Sequence, residues 1–382
     1  MSELEYEFTS FDDVQRAGKI IPLSAVQRIL QQTEPVSEHL VNTDGTSKVK
    51  SLFPDGWNHG LKDLDDNNVT TAKLTFDGAS YSMTKRAALS LMSLIGISDR
   101  YALKVPGSLI EPHVDYWFQN LGVGKTDQIK VLTKDSYVVG FMNPSSDIIS
   151  NLEILDYIRK YFKGKTDGSD IFFTPDIKHT YVETDFRIVL PKVQFTVETE
   201  RGGNKVVDRW HYGVHVTNSL LASQSNPLTI TGYMMEQSSL ASILPEHSQI
   251  AGFTRQTNLD KDDLRGWVRS SLDQISAVLP VEGEAVMDMV KHDLGDNIGD
   301  TISDIFRSMK IHRKIQEASI DILTDGGDMT AYGVMYSLAK ATVGQFDKMS
   351  NKTVNHIQKV AGALPNRSED LCASCGRLHM VH

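Results

Sequence analysis

The chain has almost no cysteine. Cys372 and Cys375 are its only two, both near the carboxyl end, so no disulfide framework can hold its body together and a reducing compartment suits it. Long apolar runs are missing too, and none approaches the roughly 18 residues that a membrane helix requires. The opening MSELEYEFTSFDD is acidic where a secretory leader would be basic and then apolar. The chain is therefore expected in the cytoplasm of the cell that makes it, away from membranes. Positive charge is in deficit, with 39 lysines and arginines against 49 acidic residues and a formal net charge of −10. That excludes broad, non-specific attraction to polyanions unless cations gather locally.

Several catalytic signatures are missing as well. No serine is flanked as Gly-x-Ser-x-Gly, and no His-Glu-x-x-His occurs. Gly122-Val123-Gly124-Lys125-Thr126 has the end of a phosphate-binding loop but not its first glycine, because position 119 is Gln119. Asp63, Asp65, Asp66, Asn67 and Asn68 are acidic enough for calcium, yet lack the glycine and distant glutamate of an EF-hand loop.

What is present is ordinary globular material: 382 residues, 40% hydrophobic and 23% charged, enough for one large core or two. The first 68 residues mix helical stretches with Asn, Asp, Gly and Pro signals and read as an extended, partly ordered arm. From Val69 to Ser82 apolar and polar residues alternate around Asp77-Gly78, which predicts a hairpin. Thr84 is placed to cap a helix that Gly96 ends. A strand pair is predicted around Asp135-Ser136, and an amphipathic helix over 152–162. Strands follow over 181–190, where Pro191 sets a limit, and over 193–199; Arg201-Gly202-Gly203-Asn204 turns the chain into a long partner strand, and 228–235 adds another. Beyond about residue 258 the period becomes helical, as in Leu264, Val268, Leu272, Ile275 and Leu279. The expected fold is α+β: a central antiparallel β-sheet with flanking helices and an α-helical C-terminal third. Its parts are an arm (1–68), an α+β core domain (69–257), a helical region (258–365) and a tail (366–382).

Three blocks carry a resemblance. YSMTKRAALSLMSLIGISDRYALKVP (81–106), GVHVTNSLLASQSNPLTITGYMM (213–235), and the helices MTAYGVMYSLAKAT and VNHIQKVAGALP together resemble phage and plasmid-like proteins carrying the domain of unknown function 932. The resemblance spans about Val69 to Pro365 and implies a phage or mobile-element origin, with no catalytic signature attached. Many relatives place Cys-Thr-Asn-Gly where this chain has Tyr233-Met234-Met235-Glu236, so any role of that cysteine does not carry over.

Three constellations are candidates for chemistry. Cys372, Cys375, His379 and His382 form C-x2-C-x3-H-x2-H, soft and borderline donors suited to a closed, structural zinc, although the spacing between the pairs is tighter than in most fingers. The bland alternative is an unliganded chain end. Period two on the strand from Asp208 to Ser219 puts Arg209, His211, His215 and Thr217 on one face. That face is read either as a polar groove wall, with Arg209 and Asn218 contacting phosphate, or as a solvated sheet face. The two histidines lie roughly 13 Å apart along a regular strand, too far to share one metal. Last, Arg159, Lys160, Lys163 and Lys165 surround Tyr161, and Lys85, Arg86, Arg100 and Lys104 enrich the segment after the hairpin. Cations interleaved with rings are what single-stranded nucleic acid needs, while helix-end cations over core aromatics are the plainer account.

The leading expectation is a phage-encoded accessory protein of DNA metabolism that binds or anneals single-stranded nucleic acid, as a homo-oligomer. The alternative is a virion-associated or host-interaction protein without enzymatic activity. A phosphodiester-cleaving enzyme built on Asp185, Arg209, His211 and His215 ranks last, for want of a motif.

Overall fold

The computed structural model describes residues 19–33, 37–42, 48–50, 68–98, 101, 104, 106–120, 128–142, 144–163, 172–173, 177–220, 228–250, 252–253, 261–295, 302–303, 306–307, 309–343 and 349–368. The fold is α+β, and its strands form two sheets rather than one. In chain order the elements begin with β1 (Ile21–Pro22), α1 (Leu23–Thr33), β2 (Ser37–Asn42), β3 (Lys48–Lys50), β4 (Val69–Phe76) and β5 (Ala79–Thr84). Next come α2 (Lys85–Leu94), α3 (Gly107–Asn120), β6 (Gln128–Lys134), β7 (Tyr137–Met142) and α4 (Asn151–Lys163). The short β8 (Phe172–Phe173) and β9 (Lys178–His179) precede the long β10 (Glu183–Arg201) and β11 (Asn204–Ser219), then β12 (Leu228–Glu236) and β13 (Ser242–Ile243). Four helices complete the described chain: α5 (Lys261–Asp288), α6 (Arg313–Gly326), α7 (Ala331–Lys340) and α8 (Asn351–Ala363).

The smaller sheet has the order β2-β6-β7-β5-β4-β3 and is antiparallel apart from the β5–β7 pair. Its β4–β5 hairpin turns through Asp77 and Gly78, both at positive φ, as the Asp-Gly pair predicts. Thr84 then caps α2, its hydroxyl accepting from the Ala87 amide, and Ala88, Leu91 and Met92 bury one face against Leu74, Val131 and Val138. The larger sheet runs β1-β8-β10-β11-β12-β13, with β9 also on β10.

The stretch read as an arm does not stand apart. Its β1 pairs with β8 in the larger sheet, α1 packs Val26 and Leu30 into that sheet's core, and β2 and β3 flank the smaller sheet. Apolar residues too sparse to form a core of their own are buried on elements contributed from far along the chain. Pro191 likewise does not end a strand. β10 continues through it to Arg201, and the hairpin register shifts between Val189 and Gln194, so the residue without an amide sits in an irregularity where no ladder hydrogen bond is lost.

The β10–β11 hairpin is the spine. On one face Phe186, Ile188, Val214, Val216 and Trp210 join Ile230, Met234 and the apolar faces of α4, α5, α6 and α7 in the main core. The two sheets meet where Leu132, Val139 and Met142 pack on Val182 and Leu220, and where Arg86 of α2 forms a half-buried ion pair, 2.6 Å, with Glu183 of β10. Phe186→Ala at this spine should cost about 3–5 kcal/mol, whereas Leu40→Ala, at a residue 55% exposed on β2, should change stability by roughly 0.5 kcal/mol at most. Chemical denaturation of the two variants checks the contrast.

Candidate functional site

Both faces of the first half of the hairpin are covered, and this overturns the solvated-face reading of β11. Arg209, His211, His215 and Thr217 do share a face, but His211 is 1% exposed and His215 4% exposed. α8 covers this side at Asp185, Arg187 and His215, and Gln237 closes over His211, so the histidines are not a groove wall; each engages a partner inside the fold. His215 Nε2 lies 2.8 Å from Asp185 Oδ1, and the Arg187 guanidinium reaches the same oxygen at 3.1 Å. Arg187 also donates to Asn355 Oδ1 at 2.5 Å and to Gln358 Oε1 at 3.3 Å. Asn355 donates in turn to Asp185 Oδ2 at 2.9 Å, and Gln358 to Ser242 Oγ at 2.7 Å. This polar seam fastens α8 to the sheet. His211 contacts Gln237 Oε1 at 3.0 Å. Asn218, expected to contact phosphate, lies buried within β11 and donates instead to the Ile149 carbonyl at 2.8 Å and to Asn151 Oδ1 at 2.9 Å.

A second seam lies on the opposite face near the hairpin tip, under α7. Trp210 Nε1 donates to Tyr332 Oη at 2.9 Å, and Tyr332 donates to Asp208 Oδ2 at 2.6 Å. Arg201 is ion-paired with Asp208 and stacks over the Tyr336 ring, 4.0 Å from its centroid. Burial pushes the Asp208 carboxyl up and the Tyr332 hydroxyl well up. Like the first, this seam is closed.

The cations expected to contact nucleic acid do not converge. Arg86 is committed to Glu183. Arg159 and Lys160, three and four residues along α4 from Asp156, both bind its carboxylate, at 3.0 and 2.5 Å. Lys85 opens α2, Lys104 is exposed in the connection between α2 and α3, and Lys163 is exposed at the end of α4. Arg209 is exposed on β11, ten residues and roughly 33 Å of strand from the end of the hairpin that Arg86 touches. Arg100 and Lys165 lie outside the described residues, as do Cys372, Cys375, His379 and His382. Among the described residues no group of three or more His, Cys, Asp or Glu is placed to hold a metal ion.

One arrangement of rings and cations is not visible in the sequence alone. α4 and α5 lie side by side in parallel: Lys261 at the start of α5 meets Glu153 near the start of α4 at 2.5 Å, and further along Tyr161 Oη donates to Asp273 Oδ1 at 2.8 Å and contacts Ser276 Oγ at 3.2 Å. Lys261, Arg265, Arg269 and Asp273 follow one another at intervals of four, which sets them in a single row along α5 bordering α4. Across the seam Glu153, Tyr157 and Tyr161 form the matching row, both tyrosines half-buried. The Lys261 ammonium is raised by its hydrogen bond to Glu153, by that carboxylate's charge and by nearby Tyr157. Arg265 and Arg269 are exposed, and among the described residues neither is drawn into an ion pair. The signal lies in the four-residue spacing of cations on an otherwise apolar-patterned helix, and it acquires meaning only once α4 is known to lie beside it.

No protein-family model, curated protein or solved structure matches the chain.

The seams make a pH prediction. Burial lowers His179, to about 4, and also lowers His211 and His215. Below about 6.5 the unfolded chain takes up protons there that the folded chain refuses, so stability falls as pH drops from 6.5 towards 4. Asp185 is held down despite its burial by His215 and Arg187, and its contribution is lost only in stronger acid; the raised Asp208 acts the other way and partly offsets the loss. Denaturation midpoints measured from pH 7 to pH 4 should decline, and His179→Gln should flatten the decline. Asp185→Ala should cost about 3–5 kcal/mol at neutral pH because it leaves the Arg187 charge buried without its carboxylate.

Proposed function

We propose that this protein binds single-stranded nucleic acid, without enzymatic activity, as a cytoplasmic accessory of phage or mobile-element DNA metabolism. The observation that carries this reading is the α4–α5 seam, where Arg265 and Arg269, exposed and without an ion pair among the described residues, lie on α5 between the Lys261–Glu153 and Tyr161–Asp273 contacts that join it to α4. A phosphate backbone needs a row of cations at intervals it can follow, and bases need rings to lie against; a stacked base contributes about 1–3 kcal/mol. Arginines held on a rigid helix serve phosphate well, because their planar forks bind two oxygens with little loss of freedom. The resemblance of 81–106 and 213–235 to phage proteins supports the biological setting. The second reading, a virion-associated or host-interaction protein, draws on the net charge of −10; recovery of the chain in purified particles would favour it.

Fluorescence anisotropy with a labelled oligonucleotide should show binding that weakens as salt rises. The double variant Arg265→Glu/Arg269→Glu should bind about tenfold or more weakly, with the salt slope reduced by about 0.7 for each phosphate that is no longer neutralised. No binding at low salt and micromolar protein eliminates the reading. The same proposal keeps Cys372, Cys375, His379 and His382 as ligands of a structural zinc. Metal analysis of protein purified without a histidine tag should find stoichiometric zinc, and Cys372→Ser/Cys375→Ser should lose it.

A further inference from the structure

Beyond Pro191 the β10–β11 hairpin leaves the sheet's interior and becomes a two-stranded ribbon with one covered and one open face. On the covered side Phe195, Val197, Asp208 and Trp210 are buried, Phe195 beside Gly283 of α5, and Asp208 and Trp210 on Tyr332 of α7. On the open side every position alternates to solvent: Gln194, Thr196, Glu198 and Glu200 from β10, and Lys205, Val207 and Arg209 from β11. Val207, at 59% exposed, stands at the middle of this face, directly opposite Glu198.

The charges on the open face are sorted by strand. From Gln194 to the turn the charges that β10 presents are acids, Glu198 and Glu200, and those of β11 are bases, Lys205 and Arg209; Lys192 of β10 is exposed in the irregularity before this paired stretch. Among the described residues none of the four forms an ion pair within the chain. A polyanion would meet two glutamates and a basic partner two cations, so neither matches the whole face. A second copy does. Rotation by a half turn about an axis running along the ribbon lays β10 of each copy over β11 of the other, in the register that the hairpin already sets: Thr196 with Arg209, Glu198 with Val207, Glu200 with Lys205. Each Glu200 then faces the second copy's lysine. Each Glu198 covers the second copy's valine, with Lys205 and Arg209 one residue pair away on either side, roughly 7 Å along the strand.

We infer that this open ribbon face is where a second copy of the chain docks, as an isologous dimer held by Val207 and by the crossed charges of Glu198, Glu200, Lys205 and Arg209. Seven residues a side fall short of the ~800 Å² per partner of a standard interface, so the dimer is weak and salt-sensitive. The inference is independent of nucleic-acid binding, since it uses no residue of the α4–α5 seam.

Sedimentation velocity of the full chain over a range of concentration and salt tests it. The wild type should dimerise at low salt and dissociate as salt is added. Glu198→Lys/Glu200→Lys makes the face wholly basic and Lys205→Glu/Arg209→Glu makes it wholly acidic; each should dimerise at least about tenfold more weakly, because like charges then face each other. An equimolar mixture of the two variants should recover the association as a heterodimer. Val207→Ser, with no change of charge, should weaken the wild-type dimer, and circular dichroism should show every variant folded. A chain that stays monomeric at all concentrations, a dimer indifferent to these substitutions, or a mixture that fails to associate overturns the proposal.

Discussion

A strand pair covered on both faces has no solvent to take up its polar groups, so each must find a partner inside. β10 and β11 are in that position from Glu183 to about Pro191, and the residues that alternate onto the α8 side are Asp185, Arg187, His211 and His215. An aspartate, an arginine and a histidine buried together are tolerable only as a connected set, because a lone charge there would face the full cost of leaving water. Asn355 and Gln358 complete the set from α8. The position of α8 on the sheet is thus fixed by hydrogen-bond complementarity in addition to apolar contact, and a sliding helix would strand charges on both sides.

The same logic repeats on the other face. Asp208 is buried near the hairpin tip, and it is Arg201 from the turn and Tyr332 from α7 that satisfy it, while Trp210 donates into the same hydroxyl. Gly333 in α7 has no room for a β-carbon, which would stand 1.9 Å from the Asp328 carbonyl oxygen, and Asp328 itself accepts from Thr199 of β10 at 2.6 Å. The helical third is therefore tied to the sheet through polar contacts at two separate places. The larger sheet and the helical third share one core with two polar seams, beside the smaller sheet's own core, and the change of period near residue 258 marks a change of secondary structure inside the shared core.

Local structure is legible in the sequence where local chemistry decides it. Asp77-Gly78, Asp135-Ser136 and Gly202-Gly203 turn as their φ preferences demand, Thr84 caps as its hydroxyl allows, and the α5 stripe from Leu264 to Leu279 is buried as its period requires. What depends on long-range pairing is not legible there. Residues 21–50 carry weak patterns because their strands borrow partners from 128–134, 172–173 and 73–75. Pro191 looks like a terminus because the rule that proline breaks a ladder is silent about a register shift that absorbs it. The two faces of β11 can be separated by parity alone, but which of them meets water depends on where α8 folds back, more than a hundred residues later.

That distinction between satisfied and displayed polar groups is also what sorts functional candidates in this molecule. His211, His215, Asp185 and Asn218 are reactive residue types strung along the hairpin, yet each is buried and engaged by a named partner, and a group so enclosed has little to offer a ligand. Arg86, Arg159 and Lys160 are half-committed in the same way, to Glu183 and Asp156. Arg265 and Arg269 on α5, and the strand-sorted charges of the ribbon, differ because the fold holds them rigidly without neutralising them. Exposed charge on a mobile loop is cheap for any soluble protein to carry; charge aligned at four-residue intervals on a packed helix, or segregated by strand across a two-residue-period ribbon, presents a repeat that only a partner of matching repeat can use. A phosphate backbone has such a repeat, and so does a second ribbon turned through half a circle.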